Sequence, residues 1–147
     1  MNHRIVDIVS NGLVTASSLF RPDLKAAYER AIARETNPQA KWTLEKILEN
    51  ALVAEKNKSP LCDDTGIPHL VLDVGPNCAV TGDMIQSIEE GVRHGLQKLP
   101  GRPMAVKGND VTRIDQSVGL DEDPGALSPA PILIRTIDED KIRLHIM

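Results

Sequence analysis

The sequence predicts a mixed α/β domain, helices first and a small sheet afterwards, on three observations. Apolar residues recur at helical spacing in Leu44, Ile47, Leu48, Ala51 and Leu52. Short runs rich in Ile, Leu and Val appear at 69–75, 132–137 and 141–146. A further helical stripe, Ile85, Ile88, Val92 and Leu96, falls between the first of these runs and the other two. The 147 residues suit one domain spanning 1–147, and the 41% apolar content is enough to build its core. With one Trp, one Tyr and one Phe, that core has to be aliphatic.

Taken in order, residues 4–20 read as a helix interrupted near Gly12. Arg21-Pro22-Asp23 opens a second helix, ending near Thr36, because Pro is tolerated in a first turn. Asn37-Pro38 is the clearest start signal: Asn accepts a bond from the free amides of a helix start, and Pro has no amide to satisfy there. The helix it opens reaches about Asn57 and is expected to bury one face. His69–Gly75 reads as a strand stopped by Pro76-Asn77, and Thr81-Gly82-Asp83 begins a helix that Leu99-Pro100-Gly101 ends. Residues 107–131, rich in Gly, Asp, Ser and Pro, read as a long loop. The last two strands flank Asp138-Glu139-Asp140 and are expected to pair as a C-terminal β-hairpin.

Between the third helix and the first strand lies Ser59-Pro60-Leu61-Cys62-Asp63-Asp64-Thr65-Gly66-Ile67-Pro68, which sets a thiol beside two carboxylates on a turn stiffened by two prolines. Nothing else in the chain is as chemically dense. The plain alternatives are a buried, inert Cys62, aspartates that cap the turn, and a solvated Arg102 after a helix end. His69, His94 and His145 have no metal-ligand spacing, and Cys78 sits outside any motif.

The net charge of -4 and the scarcity of aromatics argue against nucleic acid as a partner. No run approaches the roughly 20 apolar residues that span a bilayer, so no membrane partner is expected. Two cysteines make no disulfide framework, and with no leader-like apolar segment the expected location is cytoplasmic.

Cys62-Asp63-Asp64-Thr65-Gly66, the strand ending in Val74-Gly75 and the later Arg102-Pro103-Met104-Ala105-Val106 together resemble the N-terminal part of the alpha subunit, or corresponding region, of iron–sulfur-dependent fumarate hydratases and L-tartrate dehydratases, the class I fumarases. Those proteins carry Cys-Gln-Asp-Thr-Gly, then a strand and a helix, then an Arg in a turn before an Ala-Val pair. The resemblance spans roughly residues 40–110. It implies a hydro-lyase acting on a small four-carbon dicarboxylate at a [4Fe-4S] cluster. Cys62 falls at a cluster-ligand position, Asp64 at a proton-transfer position, and Asp63, Thr65 and Arg102 at substrate-binding positions. It further implies that the remaining alpha region and a beta subunit are partners, in a homo- or hetero-oligomer.

Three departures accompany the resemblance. Asp63 replaces an amide, which can donate a hydrogen bond, by a carboxylate that only accepts. Residues 121–130 stand where the family has an Asn-Thr-Gly-x-Asn loop. The family cluster uses three thiolates, and this chain has two cysteines in all, so alone it is expected to be cluster-free and inactive. The second reading these departures leave open is a non-catalytic, diverged fumarase-like binding or assembly module.

Overall fold

A computed structural model describes residues 1–61, 66–99, 106–108, 111 and 119–147. Helix α1, His3–Ser18, starts where the Asn2 side chain accepts from the Arg4 amide at 3.1 Å, and Asn2 N–H donates to Ser87 Oγ at 2.8 Å, pinning the start of α1 to a later helix. The expected break at Gly12 does not occur. One interior glycine costs only about 1 kcal/mol of helix propensity, and at this position the missing side chain lets Ile146 Cδ1 approach to 3.0 Å of where a Cβ would stand.

Helices α2, Pro22–Arg34, and α3, Pro38–Asn57, pack on each other. The Asn37 carboxamide oxygen accepts from the amides of Gln39 and Ala40 at 2.9 and 3.2 Å, as the sequence predicts. The expected buried face of α3 is only partly realised. Ala51 and Ala54 are buried near its C-terminal end, whereas Ile47 on the same stripe is 44% exposed.

Strand β1, Leu70–Val74, is followed by α4, Gly82–Lys98, and then by β2, Leu133–Thr136, and β3, Ile142–Ile146. Thr81 caps α4 by accepting from the Met84 amide at 3.2 Å. The mixed α/β class is therefore as expected, but the C-terminal hairpin is not formed. The sheet order is β2-β1-β3, so the two last strands flank β1 instead of pairing with each other. β2 runs parallel to β1 and β3 antiparallel to it. The connection between them is too wide for a tight hairpin because the end of β1 enters it: Ile137 N–H donates to Val74 O at 3.1 Å and Gly75 N–H to Lys141 O at 2.9 Å. Gly75 is required at that crossing, since a Cβ there would meet the Glu139 carbonyl.

Leu70 and Leu72 point from β1 into a core shared with Val9 and Leu13 of α1 and Ile88 and Val92 of α4, closed at one end by Leu99. Both helices lie on this face of the sheet. The opposite face, carrying Val71 and Asp73, has no helix packed on it among the described residues. The described part of the 107–131 stretch contains an isolated antiparallel bridge between Val106 and Leu120 and a single 3-10 turn at Pro124–Ala126.

Candidate functional site

The five residues singled out by motif, Cys62, Asp63, Asp64, Thr65 and Arg102, lie outside the described residues. What the structure places is the frame on either side of them. α3 is stopped by Lys58 in the left-handed conformation, φ 51°, whose amide donates to Glu55 O while Ser59 N–H donates to Ala54 O. Asn50 Nδ2 then donates to Leu61 O at 3.2 Å, fastening the residue that precedes Cys62 back onto α3. On the far side Ala130 N–H donates to Pro68 O at 3.0 Å, and His69 and Met147 exchange backbone bonds of 2.9 and 3.0 Å. The described residues on either side of 62–65 are thus fastened, Leu61 to a helix and Pro68 to the chain leading into β2.

Helix α4, which precedes Arg102 in sequence, ends towards the end of the sheet at which β1 begins. Because β1 and β2 are parallel with α4 between them, α4 must carry the chain back to the end where both strands begin. Leu99, buried at 8% exposure, ends α4 inside the same core cluster as Leu70, the first residue of β1. Leu99, next before the segment bearing Arg102, therefore lies towards the end of the sheet at which β1 begins.

Cys78 does not join that end. It follows the opposite end of β1, with its amide donating to Gly75 O and its Sγ 3.7 Å from Asp140 Oδ1. The thiols of this chain thus stand in separate places in the fold order, one before β1 and one after it. A donor set of one motif thiol does not fit a cluster that requires three thiolates, and no group of three or more His, Cys, Asp or Glu side chains suited to a metal ion occurs among the described residues.

A second cluster, which sequence reasoning missed, lies on the uncovered sheet face. The Asp73 side chain is 3% exposed, yet it points to that face between the two flanking strands. Arg135 Nε donates to its Oδ1 at 2.8 Å, and His145 Nε2 lies 2.8 Å from its Oδ2. The carboxylate only accepts, so the imidazole proton sits on Nε2. Arg143 approaches to 3.9 Å. The hydrogen bonds from Arg135 and then His145 outweigh burial and hold the Asp73 carboxyl down to about 2. The signal in the sequence was an Asp in an otherwise apolar strand, with Arg135, Arg143 and His145 at alternate positions of the strands that came to flank it.

A folded-state pKa below the unfolded value means that this ion pair stabilises the fold fully above the ordinary carboxylate range and loses its effect as pH falls. Asp73→Asn is accordingly expected to lower the urea midpoint at neutral pH. Its deficit against the parent chain should shrink as pH falls from about 4 towards about 2. A deficit that stays constant across that window contradicts the assignment.

One cleft of about 630 Å³ lies between α4 and the chain leading into β2, lined by Glu89, Glu90, Arg93, Gly125, Leu127 and Ile132 among others. Two of its charges pair with each other: Arg93 NH2 and Nε donate to Glu90 at 2.6 and 3.0 Å. No described helix is long and apolar enough to cross a membrane.

Comparison with known proteins bears on the whole chain. The sequence model of the family described as Fumarate hydratase (Fumerase) matches residues 6–147. The chain is 34% identical over 119 residues to a protein of Methanocaldococcus jannaschii named "Putative L(+)-tartrate dehydratase subunit alpha". That alignment covers 80% of this chain and 42% of the relative, so the chain spans about two fifths of the length of the curated protein it matches.

Proposed function

Because the chain belongs to the fumarate hydratase (Fumerase) family, we propose that it forms the N-terminal part of a hydro-lyase alpha subunit, adding or removing water across a four-carbon dicarboxylate together with polypeptide beyond its 147 residues. The observation that carries this reading is the family match over residues 6–147, which takes in the Cys62–Gly66 motif and Arg102 in their expected order. It is supported by Leu99, which precedes the segment bearing Arg102, sharing a core cluster with Leu70, the first residue of the strand that follows the Cys62 loop. A remaining alpha region and a beta subunit are the partners this reading requires, in keeping with the subunit name of the archaeal relative.

In this proposal Cys62 supplies one thiolate to a [4Fe-4S] cluster of the complete enzyme, and the remaining ligands come from the partner polypeptide. The chain's own part of the chemistry is carried by its side chains. Arg102 presents a planar pair of N–H donors to one substrate carboxylate. Thr65 hydroxyl and Asp63 position the diacid from the same loop, Asp63 as an acceptor. Asp64 moves the proton that accompanies loss or gain of the substrate hydroxyl, a role typically contributing ~10²–10⁴-fold.

A second reading, a non-catalytic docking module, is favoured by one specific observation. Asp63 adds a negative charge where the family has a neutral amide, and that charge opposes a dicarboxylate. Anaerobic reconstitution with iron and sulfide separates the two readings. The 147-residue chain is expected to take up no stable cluster by itself. A longer product of the same reading frame, or the chain mixed with the polypeptide that completes it, is expected to develop cluster absorbance and to hydrate fumarate or dehydrate tartrate. In that complete form Cys62→Ser should abolish both signals, and Asp64→Asn should keep the absorbance while lowering kcat by ~10²–10⁴-fold. Full activity in Cys62→Ser, or no cluster in the completed form, rejects the enzyme reading.

A further inference from the structure

The uncovered face of the sheet has more cation than its own carboxylate can neutralise. Residues opposite each other in register share a face, which places Val71, Asp73, Leu133, Arg135, Arg143 and His145 together. Two guanidiniums and one imidazole therefore surround a single strand carboxylate, in a chain whose net charge is -4. Asp73 is nearly sealed, whereas the Arg135, Arg143 and His145 side chains are 53%, 44% and 39% exposed.

The hydrogen bonding leaves donor capacity pointing outward. Arg135 spends its Nε on Asp73, and neither of its terminal nitrogens has a partner among the described residues. Arg143 NH2 lies 3.4 Å from Glu139 and its NH1 3.9 Å from Asp73, both long contacts, and Glu139 is itself paired with Lys141. Asp140, the other carboxylate of that turn with a described contact, faces Asn77 Nδ2 at 3.3 Å and Cys78 instead. A guanidinium clamped through Nε has little rotamer freedom left to lose when its terminal pair meets an oxyanion, which is the condition for a bidentate contact.

We propose that Arg135 and Arg143, oriented by the buried Asp73 and flanked by His145, form a carboxylate-binding site on the open face of the sheet, separate from the Cys62 loop. Asp73 and His145 are positioning residues here, and the two arginines touch the ligand. The carboxylate can arrive on a free small diacid or on an acidic side chain of a docking polypeptide. Leu133, 57% exposed beside Arg135, distinguishes the two, because only a polypeptide would bring an apolar neighbour to cover it. A second copy of the chain docking through the same face is disfavoured, since an isologous contact sets like charges against each other.

The test is a nuclear magnetic resonance titration of the 15N-labelled full chain, following the arginine Nε–H and histidine ring signals. Succinate and a blocked tetrapeptide of alternating leucine and glutamate are the ligands, and sodium chloride at equal ionic strength is the control. The Arg135 and Arg143 signals are expected to shift saturably, with half-saturation at about 1–10 mM, the range for a ligand held by a pair of exposed cations. Arg135→Gln should weaken binding at least tenfold, while Arg93→Gln, on α4, leaves it unchanged. If Arg135→Gln fails to fold, Arg143→Gln gives the same reading. Tighter binding of the peptide than of succinate, lost in Leu133→Ser, assigns the site to a polypeptide partner; equal binding assigns it to a free diacid. Shifts that match chloride, or saturable binding that survives the loss of either arginine, overturn the proposal. None of these readouts depends on a cluster or on turnover, so the site stands or falls independently of the hydro-lyase reading.

Discussion

Leu72→Ala is expected to lower the free energy of unfolding by about 2–5 kcal/mol, the range for truncating a fully buried aliphatic side chain. Leu72 is 1% exposed and sits on the central strand, with Ile134 of β2 on one side, Leu144 of β3 on the other and the α1–α4 layer above. No aromatic side chain lies in that buried cluster, so there is little flexible bulk to collapse into the space left behind. A single domain has roughly 5–15 kcal/mol of stability in total, so at the middle of both ranges the change consumes about a third of it. Ile134→Ala provides the comparison: it faces the same side in register with Leu72 but is 54% exposed at the sheet edge, and its cost should stay near ~0.5 kcal/mol. Urea unfolding of the two variants decides the matter, and equal losses would mean that the sheet centre is not where the core lies.

The contrast between Leu72 and Ile134 also marks what was legible in the chain. Local signals were read directly. Asn37-Pro38 starts α3 because capping involves atoms two and three residues apart, and the Ile85, Ile88, Val92, Leu96 stripe announces α4 for the same reason. Strand order was not legible, because it is decided by pairing across 62 to 76 residues. Asp138-Glu139-Asp140 looks like a hairpin turn until β1 is seen to pass between the strands it joins. The Asp73–Arg135–His145 cluster was hidden for that reason: each member is ordinary in its own strand, and only the order β2-β1-β3 brings them to one carboxylate. For the Cys62 loop and Arg102 the reverse holds. Their chemistry was read from residue types and spacing, and the fold adds the anchoring of their flanks, through Asn50 to Leu61 and through Leu99 in the core. The α2–α3 pair shows a further limit of periodicity: the stripe from Leu44 to Leu52 identifies the helix but not how much of it is covered, and no residue of α2 is buried.

Small residues carried less signal than large ones, although they set the closest approach in the molecule. Gly91 and Gly95 of α4 lie against α1. A Cβ on Gly91 would be 2.6 Å from Val9 Cβ and 2.9 Å from Val6 O, and one on Gly95 would be 2.8 Å from Leu13 Cδ2 and 3.1 Å from Ser10 O. Two effects of opposite sign compete in Gly91→Ala. Alanine gains about 1 kcal/mol over glycine inside a helix, and overpacking a tight contact costs typically about 1–3 kcal/mol. Val9 Cβ is a branch point next to the backbone and Val6 O is backbone itself, so neither can swing aside. The helices must separate, and the net result is expected to be a loss of up to about 2 kcal/mol. Gly82→Ala, in the first turn of the same helix with nothing within 4 Å, should instead gain about 0.4–1 kcal/mol through the unfolded chain. The double variant Gly91→Ala/Gly95→Ala should lose less than the sum of its parts, because one displacement of α1 relieves both collisions. Thermal or urea unfolding of the three variants reads the signs, and a Gly91→Ala chain more stable than the parent would show that α1 and α4 are not in close contact.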